Sequence, residues 1–365
     1  MVARVGYRSG AQGRRPALLT VSGTVPADLD EAVSSGDRPR ADYAAIAARA
    51  DADIVDVQRA RGELGRVGAV LHRVGPGALL GWYAFRHRRS YRTIFTDGEQ
   101  VGIPLALLTK LRRRREFRHV MIAHVLSTPR KTRLVRWTRI ASEIDRYIVY
   151  CSYQARYVRD RLAVPADRVV HVPFMVDTKF FDPADVRVQR RRMICSAGLE
   201  RRDYATLIEA VRDLDLEVVI TASSLWSKRR SSTADRELPP NVRVGRLTMR
   251  ELRDTYAAAA VIVVPLVEVD FQAGITAILE GMSMARAVIC SRVAGQTDTI
   301  VDGVTGLYVP PGDVDAMRQA FDRLLSDPDE ADRLGRNARD WVVEHADIDV
   351  YADVISRILS EAAGT

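Results

Sequence analysis

Residues 270–298 read DFQAGITAILEGMSMARAVICSRVAGQTD, and this stretch decides the fold. Ahead of it, residues 261–266 are an apolar run with Pro265 near its end, the pattern of a buried strand. Behind the first half of the stretch, residues 287–290 form a second apolar run. Between the two runs Ile275, Ile278, Leu279 and Met282 recur at helical spacing, which predicts a helix starting near Gly274. Strand, loop, helix and strand make a βαβ unit. Its loop lies at the carboxyl end of the first strand, where open α/β sheets bind ligands.

The chemistry of that loop follows from the helix. The first amides of a helix have no internal partner and carry the positive end of its dipole. Gly274 admits a ligand close to the backbone. Together they suit a phosphate. Thr276 and Glu280 are four residues apart and share a face. A carboxylate one turn in would compete with a phosphate for one spot, but it can accept two hydrogen bonds from a diol such as a ribose. The alternative is a solvated helix residue.

The residues after Glu280 add longer matches. They include Gly295-Gln296-Thr297-Asp298 and Asp302-Gly303-Val304-Thr305-Gly306-Leu307-Tyr308-Val309-Pro310-Pro311-Gly312-Asp313. With Glu280 these segments resemble the retaining glycosyltransferases of the family-4 type, which have the GT-B fold. The resemblance implies two Rossmann-like domains facing a cleft, with the last helix returning to the first domain. It implies a nucleotide diphosphate sugar held by the second domain and an acceptor hydroxyl presented by the first. Gln272, Ala273, Gly274, Ile275 and Thr276 then fall on donor-binding positions, and Glu280 on a catalytic one. The family's first glutamate, eight residues before the second, is Gln272 here, and its later glycine and proline are Ala285 and Ala287. Glutamine still hydrogen-bonds sugar hydroxyls but carries no charge.

The totals agree with a two-domain α/β protein. The chain has 365 residues, 47% hydrophobic and 28% charged, enough for two sizeable cores. Cys151, Cys195 and Cys290 are scattered beside apolar runs with no metal-ligand spacing, which suits a reduced cytoplasmic interior. The opening residues are basic without an apolar signal region, and no run reaches the length of a membrane span. Net charge is +8, and lysine occurs only at 110, 131, 179 and 228.

In the first half, strands are expected over 17–22, 54–57, 91–96 and 120–124, and a helix over 42–50. Gly23 stands alone after the first strand, where the family often has two glycines. Residues 67–80 read as helix and turn. Trp82, Tyr83 and Phe85 are assigned to the core, with an exposed surface for a lipid or sugar acceptor as the alternative. After the third strand, Asp97 and Glu99 are either acceptor contacts or, for Asp97, a helix cap. The helix 103–110 runs into Arg112-Arg113-Arg114-Arg115. Such a cluster is a helix-end charge complement and solvated face, or a peripheral contact with an anionic membrane on its inner side. Nucleic acid is disfavoured, because no aromatics interleave the run.

His124 ends the fourth strand. Alone it reads as structural. The later segment Asp145-Arg146-Tyr147-Ile148-Val149-Tyr150-Cys151-Ser152 resembles the family's segment that follows a cleft histidine, which implies that His124 hydrogen-bonds the donor sugar. Ser152 is expected to cap the next helix.

The boundary is placed between 174 and 175, giving an acceptor-side domain over 1–174 and a donor-binding domain over 175–365. The second domain opens on a strand over 193–197, followed by Gly198-Leu199-Glu200-Arg201-Arg202. The family holds the diphosphate here with two cations. Leu199 occupies the first position, Arg202 matches the lysine and Arg201 adjoins it. Arginine takes phosphate oxygens bidentately, and a cation at a helix start is unfavourable unless an anion compensates it. Arg246 and Leu247 fall where the family's backbone lines the nucleobase. Helices are expected over 207–214, 249–258, 324–343 and 350–359, and a polar loop over 223–236.

The reading is a metal-independent, cofactor-free retaining glycosyltransferase. It takes a nucleotide diphosphate sugar and a sugar, lipid-linked or small-molecule acceptor. The alternative is an epimerase-like or non-catalytic nucleotide-sugar binding protein.

Overall fold

The computed structural model describes residues 14–112, 116–221 and 238–364. The basic opening through residue 13, Arg113, Arg114 and Arg115, and the polar loop expected at 223–236 lie outside them. The chain divides into two compact units. The first comprises Met1–Glu31, Arg40–Val172 and Tyr351–Thr365, and the second Ala32–Pro39 and Pro173–Val350. The main break thus falls two residues before the boundary read from sequence, and most of the last helix, Ile348–Ala363, is part of the first unit. Thr93 Oγ1 donates to the Leu359 carbonyl there, and the Tyr150 and Tyr351 hydroxyls bond at 2.8 Å.

The first unit is built on β1 (Arg15–Val21), β2 (Ala52–Asp56), β3 (Tyr91–Thr96), β4 (Arg118–Ile122), β5 (Arg146–Val149) and β6 (Val169–His171). All pair in parallel, in the order β2-β1-β3-β4-β5-β6. Parallel strands need crossovers, so helices cover both faces and the central strands are largely buried. One core gathers Leu18, Tyr83, Ile94 and Leu105, and another Met121, Val135, Tyr147 and Val158. Tyr83 and Phe85 are core residues, and Trp82 packs half-buried against them.

The second unit is built on β7 (Met193–Ala197), β8 (Glu217–Thr221), β9 (Val242–Gly245), β10 (Val261–Val264), β11 (Ala287–Ser291) and β12 (Leu307–Val309). The order is β12-β11-β10-β7-β8-β9, again all parallel. Every residue of β10 is buried, which the unbroken valine and isoleucine run required. Each such side chain contributes about 1.5–3 kcal/mol on burial.

Local differences from the sequence reading have simple causes. Residues 67–80 belong to two long helices, Val57–Val74 and Pro76–His87, separated by Gly75. Their glycines interrupt the apolar period without interrupting the hydrogen-bond ladder, apart from a kink at Gly65. Ser152 is not a cap. It is the first helical residue, and Cys151 holds the extended cap position with no side-chain bond. Asp302 to Asp313 are scaffold. Asp302 accepts from the Tyr308 amide at 2.9 Å, and Asp313 caps the helix Val314–Ser326 by accepting from the Ala316 amide.

Candidate functional site

In each sheet the strand order reverses at one point. In the second sheet the reversal lies between β7 and β10. Loops leaving the carboxyl ends of such a pair diverge and open a crevice that takes ligands. The loop after β7 carries Gly198, Arg201 and Arg202. The loop after β10 carries Gln272, Ala273 and Gly274.

Arg202 joins the two loops. It is only 9% exposed. Its Nε donates to the Ala197 carbonyl at 2.8 Å and its Nη1 to that of Glu200 at 2.9 Å. The guanidinium lies against both glycines. A Cβ on Gly198 would come within 2.5 Å of Nη2, and one on Gly274 within 3.1 Å of Nη1. Gly274 also has φ +80°, so it is required both by conformation and by the approach of the guanidinium. Among the described residues Nη2 has no hydrogen-bond partner.

Asp203 caps the helix Tyr204–Val211, accepting from the Thr206 amide, and Arg202 turns back onto carbonyls. Arg201 stands in a left-handed conformation, φ 57°, with its Nε 3.8 Å from the Glu200 carboxylate.

Glu280 lies on the helix Ile275–Ser283, whose cap residue is Gly274. It is 5% exposed, so it is not the solvated residue that a lone helical glutamate usually is. Its Oε2 accepts from the Tyr256 hydroxyl at 3.0 Å. Burial pushes its pKa up to about 8, against the Tyr256 bond and the positive field of Arg202. Thr276, one turn earlier on the same face, is exposed.

Gln272 is half-buried. Its Nε2 lies 3.3 Å from Thr299 Oγ1, and its Oε1 is buried without a partner among the described residues. Gln296, fully buried, steadies the loop by donating to the Ala273 carbonyl at 3.0 Å. Ala273 and Ile275 are buried. Arg246 and Leu247 follow β9, the edge strand two places from β7, so they lie about 10 Å across the sheet from the reversal. Arg246 is exposed and Leu247 half-buried. The structure therefore gathers Arg202, Gly274 and Glu280 with Gln272 on the adjoining loop, and leaves Arg246 and Leu247 at the sheet edge.

In the first sheet the reversal lies between β1 and β3. Asp97, after β3, spans it. Its carboxylate accepts from Ser22 Oγ at 2.8 Å, from the Ser22 amide at 2.5 Å and from Thr20 Oγ1 at 3.2 Å. It is not a helix cap, because Gly98 holds the cap position of the helix Glu99–Lys110. Burial raises the pKa of Asp97 against these bonds. Asp42 is raised too, chiefly by lost hydration, with the charge of Asp97 adding to it.

His124 sits two residues past β4 and is exposed. Its Nε2 donates to the Asp97 carbonyl at 2.9 Å. A carbonyl only accepts, so the proton is on Nε2 and Nδ1 is the acceptor in the neutral ring. Its loop is held by Glu99, which accepts from the His124 amide at 2.9 Å and from Lys131 Nζ at 2.7 Å. Burial works to raise the Glu99 pKa, but His124 and Lys131 together hold it below the usual carboxylate value.

Tyr256, Gln296 and Lys131 were not found from sequence. Gln296 lies inside a quoted segment, and its position between Gly295 and Thr297 was its only signal. Tyr256 and Lys131 gave none, since their partners are 24 and 32 residues away.

Residues 190–327 match the family model described as glycosyl transferases group 1. The chain is similar to the MMP alpha-(1->4)-mannosyltransferase of Mycolicibacterium hassiacum, 30% identical over 216 residues, covering 56% of this chain and 51% of that protein. It thus spans about half the length of that relative. It is also similar to the GDP-mannose-dependent alpha-(1-6)-phosphatidylinositol monomannoside mannosyltransferase of Mycolicibacterium smegmatis, 27% identical over 274 residues, covering 66% and 70%. Among solved structures it resembles the sucrose-phosphate synthase of Thermosynechococcus elongatus, with TM-score 0.65 at 22% identity, covering 78% of this chain and 77% of that one. It also resembles Anabaena HepE in complex with UDP and glucose, with TM-score 0.67 at 14% identity, covering 95% and 100%. These likenesses show the fold, two parallel six-stranded sheets of the GT-B kind. No described helix is long and apolar enough to cross a membrane.

Proposed function

We propose, of a chain that belongs to the group 1 glycosyltransferases and has the GT-B fold, that it moves a hexose from a nucleoside diphosphate sugar to an acceptor hydroxyl with retention at the anomeric carbon and without a metal. The observation that carries this reading is Arg202: a nearly buried guanidinium between the Gly198 and Gly274 loops, with an unpartnered Nη2 at the sheet reversal. A diphosphate supplies the anion such a group lacks. The start of the helix Ile275–Ser283 adds amides and the positive end of a dipole.

Each site residue has a part in this reading. The bond from the anomeric carbon to the diphosphate oxygen breaks, and its electron pair goes to that oxygen, where Arg202 and the helix amides receive the charge. Arg201 assists from the neighbouring position. The acceptor oxygen bonds to the anomeric carbon, and its proton passes to the departing diphosphate. Glu280 takes the ribose diol. It is protonated in the free protein below about pH 8, and an ionised carboxylate is the better acceptor, so donor binding drives its ionisation. Gln272 Oε1, buried and unpartnered, accepts from a sugar hydroxyl. His124 offers Nδ1 to the transferred sugar, and Arg246 and Leu247 lie along the nucleobase.

Both mannosyltransferase relatives are named for α-linkages, and one for GDP-mannose. An α-product from an α-linked nucleotide donor is retention. A sugar, a lipid-linked sugar or a small metabolite serves as acceptor, and the Arg112–Arg115 run fits an acceptor presented at an anionic surface.

The test is thermal stability with UDP, GDP, ADP and their hexose conjugates, followed by nucleotide release. One diphosphate is expected to stabilise the protein, and its sugar to be hydrolysed slowly in the absence of acceptor, unchanged by EDTA. Binding without any turnover would instead leave a nucleotide-sugar binding protein.

A further inference from the structure

The helix Pro129–Thr138 has two unlike faces. Its inner face is anchored in the first unit. Lys131 Nζ reaches Glu99 and the Val125 carbonyl, Thr132 Oγ1 reaches the Leu126 carbonyl, and Val135 is buried. These contacts brace the loop that carries His124. The outer face holds Arg130, Arg133, Leu134 and Trp137, at the spacing of one helical stripe, with Arg136 beside them. Trp137 is 86% exposed, and the helix has no acidic residue. Among the described residues no carboxylate pairs with Arg130, Arg133 or Arg136.

The end of the helix Glu99–Lys110 adds to this corner. Lys110 Nζ donates to the Thr138 carbonyl, which brings Leu111, 81% exposed, and Arg112 beside the end of the outer stripe.

We propose that this corner docks on an anionic lipid bilayer. Exposed tryptophan and leucine flanked by unpaired arginines is the composition of an interfacial anchor. The indole and aliphatic groups enter the headgroup region, and the guanidinium groups meet lipid phosphates. Two leucines beside the indole favour acyl chains over stacked bases, because aliphatic side chains give a nucleobase no π-face. The same helix braces the His124 loop, so docking sets that loop beside the bilayer, where a lipid-linked acceptor would be presented. The proposal goes beyond the transfer reaction and does not depend on it, since docking is read without turnover.

The test is flotation of the full chain with vesicles of phosphatidylcholine, alone or with about one third phosphatidylglycerol. Binding is expected only to the anionic vesicles and is expected to weaken in 0.5 M salt, a concentration chosen to shorten the screening length to roughly 4 Å. A triple Arg130→Glu, Arg133→Glu, Arg136→Glu variant should bind at least ~100-fold more weakly. Trp137→Ala should lose roughly 10-fold and the blue shift of tryptophan emission on binding. Melting curves matching the parent show that these surface variants are folded. Equal binding by the triple variant, no binding by the parent, or capture of oligonucleotide in preference to vesicles would each overturn the proposal.

Discussion

At the β7/β10 reversal a guanidinium lies across two loops and is bonded to backbone carbonyls. At the β1/β3 reversal a carboxylate lies across two loops and is bonded to a backbone amide and two hydroxyls. Both sheets are parallel and both reversals open the same kind of crevice. Among the described residues, neither spanning charge is neutralised by an opposite one in direct contact. The topology therefore supplies the place, and the sign of one side chain supplies the ligand class. The cationic crevice suits an anion such as a diphosphate, and the anionic one suits hydroxyl groups that donate. Asp42 beside Asp97 deepens that contrast, and His124 adds an acceptor nitrogen to the same cluster.

The largest break in this comparison should come from Arg202. Arg202→Ala is expected to lower kcat/KM for the nucleotide sugar by roughly 1,000-fold, with Arg202→Lys intermediate because lysine keeps charge but not the fork. Steady-state nucleotide release measures it. Full turnover by the alanine variant would remove the cation from the leaving-group role.

Glu280 sharpens the comparison through pH. Its folded pKa, about 8, stands above the usual 4.5, so between these values the folded chain holds a proton that the unfolded chain has released. Its contribution to stability is greatest below about pH 4.5 and falls as pH rises to about 8. The cost at pH 8 is on the order of 4 kcal/mol. Glu280→Gln should flatten that slope and be relatively more stable at pH 8 than at pH 5. Urea unfolding of both proteins at several pH values reads the difference, and parallel curves would mean that Glu280 is not the group responsible.

The smallest effect is expected from Asp97. Asp97→Asn keeps an oxygen to accept from Ser22 and should cost about 1 kcal/mol of stability. Nucleotide affinity should be unchanged, and acceptor-dependent turnover should fall. A loss of nucleotide affinity comparable to that of Arg202→Ala would erase the distinction between the two crevices.

Much of the architecture was legible because parallel strands buried on both faces leave unbroken apolar runs, and helices leave a period. The runs at 261–264 and 287–291 and the helix after Gly274 were all readable this way. The longest motif match, Asp302 to Asp313, turned out to be a turn, an edge strand and a cap. Its glycine offsets are distinctive because turns demand them, so it carried the family resemblance while serving as scaffold. Arg202, Glu280, Gln272 and His124 were located as candidates from the same reading. Their states were not. A solvated Glu280 and a capping Asp97 were each reasonable from neighbouring residues. Both were decided by partners far along the chain, Tyr256 and Ser22.

By itself, the sequence determined two parallel α/β units, the position of the helix start after Gly274 and the identity of the residues around it. Those features depend on local period, glycine placement and side-chain type. Only the tertiary structure decided that Glu280 is buried against Tyr256, that Arg202 is clasped between Gly198 and Gly274, and that the Pro129–Thr138 helix turns an unpaired tryptophan and arginine face outward. Burial and field strength are sums over everything within reach in space. They have no one-dimensional period to read until the chain has folded.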